Sequence, residues 1–191
     1  QGQGKESAQT GSSLTTNIMI GIVGIFLILS FQFRSYVQPF AIMLAIPMGF
    51  IGVVFGHLAM GLDLAMPSLV GFATLAGVVV NDNILLVNFI KERLQEGVAV
   101  AEAARLAARD RLRAILLTSL TSIAGLLPLL SETSTQAQFL IPLVASLAFG
   151  LLTATVLALF FVPAFFVILD DLGLLKIEMN TEISATPETT V

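Results

Sequence analysis

Hydrophobic positions along the chain gather into five long runs separated by short polar punctuation. A membrane-crossing helix needs roughly 20 apolar residues to traverse about 30 Å of hydrocarbon, and the runs come close to that length or exceed it. Run one, 14–31, ends in the polar turn QFRSYVQP, where Pro39 suits the first turn of the next helix. Run two, 37–60, carries Pro47 inside it, which a membrane helix tolerates when neighbours satisfy the freed carbonyl. The link GLDLAMP opens run three, 67–90, which continues as a wetter helix into KERLQEG. Run four, 114–130, has Pro128 near its end. The link SETSTQAQ then leads into run five, 139–169, which includes Pro142 and Pro163 and is long enough to span with tilt.

Between runs three and four the pattern changes. Residues 98–112 (VAVAEAARLAARDRL) are Ala-rich and apolar at helical spacing, with Glu102, Arg105, Arg109 and Asp110 between. This predicts an amphipathic linker helix lying along the membrane face. Residues 1–13 form a polar lead-in without a starting Met or a signal-peptide pattern, so the chain reads as the C-terminal part of something longer. The tail, 173–191, is polar and Thr/Glu-rich and reads as disordered. The expected fold is an all-α membrane protein of about five transmembrane helices plus one amphipathic helix.

Composition sharpens this class. Of 191 residues, 56% are hydrophobic and 12% charged, and the mean hydropathy of +0.94 lies far from a soluble domain's mix. The chain has no Cys and a single His57, which removes disulfides, thiolate metal sites and most imidazole-based sites. No cofactor or metal is expected. His57, near the outer end of run two, reads as interfacial. The runs hold no nucleophile and base pair or metal-ligand set, so an intramembrane enzyme is not expected.

The net charge of −4 matters less than where the charges sit. With the N-terminus outside, the inner segments hold Arg34, Lys91, Arg93, Arg105, Arg109, Arg111, Arg113 and Lys176, leaving only Lys5 outside. Eight of nine basic residues then share one side, a positive-inside pattern. It predicts a lead-in on the outer side, which is periplasmic in the bacterial inner membrane that the resemblance below implies, with a cytoplasmic C-terminus and a cytoplasmic amphipathic linker. The lipid bilayer is the implied environment, and nucleic acid is not an expected partner.

One carboxylate sits deep in an apolar run: Asp82, in GVVVNDNILLVNF, about 9 residues or ~13 Å from Lys91. An ionisable group at such depth costs several kcal/mol, about 3 on insertion scales, unless it is paired, hydrated or neutralised, which makes a functional reading the default. Asn81 and Asn83 flank it, and Thr74, Asn81 and Asn88 recur at heptad spacing. On run four, Arg111, Thr118, Ser122 and Gly125 share a helical face, with Ser122 at about the depth of Asp82. Run five adds Ser146, Gly150 and Thr153. Small and hydroxylated stripes serve packing as readily as an ion path. Gly52 and Gly56 form a GxxxG spacing, a signal for close helix contact.

The blocks FRSYVQP, IPMGFIGVVFGH, GVVVNDNILLVNFI, RLRAILLTSLTSIAGLLPLL, QAQFLIPLVASLAFG and TATVLALFFVPAFF together resemble the resistance-nodulation-division (RND) transporters, in their AcrB-like hydrophobe/amphiphile efflux branch. The resemblance covers the chain up to Leu172. It implies that the five runs are the last five of twelve helices in an inner-membrane efflux transporter driven by the proton-motive force. It also implies a homotrimer, a periplasmic adaptor, an outer-membrane channel, and an N-terminal half supplying an acidic pair on the fourth helix. Carried over motif by motif, the relay Arg and Thr fall on Arg111 and Thr118. The relay Lys falls on Asn81, which carries no charge. The expected proton relay is Asp82, Arg111, Thr118 and Asn81, supported by Asn83, Asn88 and Ser122. Related helical architectures also serve as membrane scaffolds or protein-export accessory subunits, which is the alternative reading.

Overall fold

A computed structural model describes residues 2–173 and 175, with side chains described from Gly11 onward. Among the described residues there are six helices and no strand: α1 (Gly2–Phe33), α2 (Val37–Met43), α3 (Ala45–Met60), α4 (Met66–Gln95), α5 (Val100–Leu130) and α6 (Thr135–Asp171). Five stretches among the described residues are long and apolar enough to cross a membrane, α2 and α3 acting together as one. The all-α membrane fold expected from the five runs is therefore present. The lead-in 1–13 is continuous with α1 from Gly2, and the tail from Lys176 onward lies outside the described residues.

Local chemistry explains the joints. Arg34 adopts a left-handed φ of 50° between α1 and α2, and the Ser35 hydroxyl accepts from the Val37 and Gln38 amides, both at 3.2 Å. Run two is interrupted at Leu44. Pro47, in the first turn of α3, lacks the N–H that would bond the Met43 carbonyl, so the ladder of α2 stops there. Gly61 ends α3 with φ +64°, a conformation in which a Cβ is unfavourable.

A different joint was expected between the amphipathic stretch 98–112 and run four. The structure instead joins them in one uninterrupted helix of 31 residues, about 46 Å at 1.5 Å per residue. No Gly or Pro separates Leu112 from Ala114, so nothing in the backbone stops the helix. The amphipathic part is the continuation of a span that outruns 30 Å of hydrocarbon. Its end is tied to α4 by Arg93, which reaches Asp110 at 3.2 Å as well as Glu96.

Helix α6 is the centre of the bundle, packed by α3, α4 and α5, while α1 touches only α2 and α4. Leu75 of α4 fills a notch between Gly49 and Gly150. A Cβ at Gly52 would land on the Phe149 carbonyl and Thr153, and one at Gly56 on the Phe149 ring. The GxxxG spacing therefore permits close contact between α3 and α6. In lipid, such close packing rather than apolar burial holds helices together. Large apolar side chains such as Phe31, Phe55 and Phe160 accordingly stay on the outer surface.

Candidate functional site

The residues singled out around Asp82 divide into two groups. Asn83 is buried at 3% exposure and Asp82 is half-buried. Both line a small cavity of about 10 Å³ with Val79 and Leu86 of α4, Ile115 of α5, and Ala154, Thr155, Ala158 and Leu159 of α6. Asn81, Asn88, Thr118 and Ser122 are exposed on this chain. The Thr118 hydroxyl donates to its own helix at the Ala114 carbonyl (2.9 Å), and Thr121 donates to Leu117 and Thr118. Thr74, on the heptad stripe with Asn81 and Asn88, donates likewise to Val70. These hydroxyls are satisfied locally and bridge to no other helix.

Arg111 lies between the two groups. Its guanidinium carbon sits 3.7 Å from the centroid of the Phe89 ring, a cation–π contact, and its Nε is buried without a partner. No ion pair joins it to Asp82 among the described residues. Asp82 shares its cavity with Ile115 of α5 and Thr155 of α6, and Thr155 pairs with Ser119, which sets Asp82 beside the Ile115–Ser119 layer. Ser122, three residues beyond Ser119, is exposed.

Two residues missed in the sequence complete the buried layer. Ser119 of α5, 2% exposed, and Thr155 of α6, 6% exposed, share a hydrogen bond of 2.7 Å. Hydroxyl stripes were legible on both helices, but Thr118, Ser122 and Thr153 were read as the polar face in place of Ser119 and Thr155. The Asn83 Nδ2 is buried without a partner in the same layer. Leaving such a donor unpaired costs about 1–3 kcal/mol, so this amide is the least satisfied group beside Asp82.

His57, in the last turn of α3, is packed inside the bundle. It is 2% exposed, with Nδ1 2.9 Å from the Val53 carbonyl and Nε2 2.8 Å from the Ser68 hydroxyl. Ser68 in turn accepts from the Ala65 amide at 3.2 Å, fastening the start of α4 to α3. Ser146 donates to the Pro142 carbonyl at 3.0 Å within α6 and lies against Gly71 of α4, so it packs. No group of three or more His, Cys, Asp or Glu side chains is placed to hold a metal among the described residues.

A multi-spanning helical bundle with a polar layer across three of its helices is the architecture of an all-α integral membrane protein. The chain belongs to the AcrB/AcrD/AcrF family, whose profile matches residues 1–170, and thus to the AcrB-like RND efflux transporters. It is 35% identical over 164 residues, 85% of its length, to the toluene efflux pump membrane transporter TtgE of Pseudomonas putida, of which it covers 16%. To the multidrug export protein AcrF of Escherichia coli it is 33% identical over 169 residues, 88% of this chain and 16% of that one. The multidrug resistance protein MdtF of Escherichia coli is 38% identical over 154 residues, 80% of this chain and 15% of that one. The chain thus spans about a sixth of the length of these relatives.

Proposed function

We propose that this chain supplies the last five membrane helices of an efflux transporter that exchanges protons for small amphiphilic or solvent-like molecules across a bacterial inner membrane. The observation that carries the reading is Asp82, a carboxylate deep in a span that lines a small, mostly apolar cavity and has no ion-pair partner among the described residues. Moving one charge across the membrane is worth about 2.3 kcal/mol per 100 mV. A carboxylate that changes which side it can reach turns that free energy into a bias between two packings of the helices.

In this reading, Asp82 carries the proton. Arg111, anchored on Phe89, and Thr118 orient water or a proton-carrying carboxylate arriving from another part of the transporter. Asn81, in the relay-lysine position of the resemblance, gives a neutral hydrogen bond where that lysine gives charge. The uncovered stripe of Asn81, Asn88, Thr118 and Ser122 faces the N-terminal half of the same transporter. The whole assembly is a homotrimer working with a periplasmic adaptor and an outer-membrane channel, with its N-terminal side periplasmic and its C-terminus cytoplasmic.

The test uses the full-length transporter containing this chain, produced in cells lacking their own efflux pumps and challenged with toluene. Asp82→Asn and Arg111→Ala are each expected to reduce survival to the level of cells without the transporter, at unchanged abundance in the membrane. Normal survival with Asp82→Asn would remove the proton path from this chain, and normal survival with Arg111→Ala would remove the orienting role of Arg111.

A further inference from the structure

The cavity beside Asp82 has a chemistry that its protein groups leave incomplete. Asn83 Nδ2 is a donor with no acceptor, and it is buried in the wall of the cavity. Thr155 Oγ1, in the same wall, is already paired with Ser119 but has capacity for a further bond. Asp82, when ionised, can only accept. Native interiors meet such a mismatch with an ordered water when there is room and when two to four polar partners converge. The cavity offers about 10 Å³, at the lower limit for one water, and three polar partners from two helices. Its other lining groups are apolar, and no second titratable or charged side chain lines it.

We propose that this cavity is a water site, and that its water joins Asp82 to Thr155 and so makes α6 part of the proton-responsive layer. The hydrogen count closes. The water accepts from the Asn83 amide and donates to the Asp82 carboxylate and to Thr155 Oγ1. The Thr155 hydroxyl then donates to Ser119 Oγ, 2.7 Å away. When Asp82 takes up a proton it becomes a donor, and the water, now accepting from both Asp82 and Asn83, keeps its bond to Thr155 Oγ1 but has no acceptor for its second hydrogen. The charge-assisted bond to the carboxylate is lost while the Thr155–Ser119 bond keeps its direction, so the hold on the water weakens. Protonation on α4 is thereby passed to α6 as a loosened water bridge, without movement of a second charge. Thr155 is a positioning residue in this scheme.

The water itself needs no transport activity to be tested; its role in coupling rests on the proposed function. A density map of the full-length transporter, at a resolution that resolves waters, is expected to place one within about 3.2 Å of both Asn83 Nδ2 and Thr155 Oγ1. An empty cavity, with the Asn83 amide bonded to a protein atom, would overturn the site. In the toluene assay, Thr155→Val removes the bonds to the water and to Ser119 at constant shape and is expected to lower export about five-fold. Thr155→Ser, which keeps the hydroxyl, is expected to stay within about two-fold. Equal export by both variants overturns the coupling role. Asp82→Asn, run in parallel, separates the two ideas. If it exports normally, the proposed function fails whatever Thr155 does; if it is inactive while Thr155→Val is normal, only the coupling fails. Should Thr155→Val not accumulate in the membrane, the map of the unmodified protein decides.

Discussion

His57 and Ser68 illustrate how a single polar side chain can define a helix junction. Val53 offers a carbonyl, which only accepts, so His57 Nδ1 must carry the hydrogen in that bond. With the ring neutral, Nε2 accepts from Ser68, whose oxygen is left to accept from the Ala65 amide. Every buried polar atom in this chain of bonds is then satisfied. Ser68→Ala leaves both the His57 ring and the Ala65 N–H without their partner. It is expected to destabilise the full-length protein by about 1–2 kcal/mol. Thermal unfolding in detergent checks this: a midpoint equal to the parent's would mean that the buried network contributes nothing. The link was hidden in the sequence because a lone His near the end of an apolar run does not reveal which side chain it faces. Its partner, eleven residues away, faces it only after the GLDLAMP turn has reversed the chain.

The spans were legible for a simple reason: hydrocarbon imposes a minimum apolar length, and length can be read without knowing how helices pack. The joints were less legible. Pro47 was visible, but its effect is only local: the hydrogen-bond ladder is interrupted at Leu44, whose backbone stays helical, so α2 and α3 continue as one span. The continuity of α5 was obscured by its change from wet to apolar composition, which alters the surroundings without breaking the backbone. The Ser119–Thr155 contact was illegible because it depends on the rotational phase of two helices against each other. The GxxxG spacing gave a helix contact but not its partner, which the structure identifies as α6. A methyl group at Gly52 would meet the Phe149 carbonyl and Thr153, backbone and a β-branched residue that cannot swing aside. Gly52→Ala is therefore expected to cost about 1–3 kcal/mol through overpacking. Gly24→Ala, where a Cβ meets nothing within 4 Å, should be neutral or stabilising by about 0.5–1 kcal/mol. Denaturation midpoints of the two variants measure the contrast, and equal shifts would dismiss close α3–α6 packing as its cause.

The distribution of charge over the whole chain leads to a topology that helix packing alone leaves undetermined. The α4–α5 turn and the helix ends beside it carry Lys91, Arg93, Arg105 and Arg109, whereas the α3–α4 link carries Asp63 and the α5–α6 link Glu132. Cytoplasmic segments retain Lys and Arg, and Asp and Glu have little weight in setting orientation. The α4–α5 turn should therefore face the cytoplasm, and the links at Asp63 and Glu132 the periplasm. Because this chain has no Cys, the prediction can be tested with single cysteines once any in the rest of the transporter have been replaced. In spheroplasts, Asp63→Cys and Thr133→Cys should react with a membrane-impermeant maleimide, and Glu96→Cys only after lysis. The reverse pattern would place the basic segments outside. The same inversion would move the Arg111 end of the polar layer to the periplasmic side. A proton entering from the periplasm would then meet Arg111 before Asp82, so the labelling result also decides the direction in which the proposed path is read.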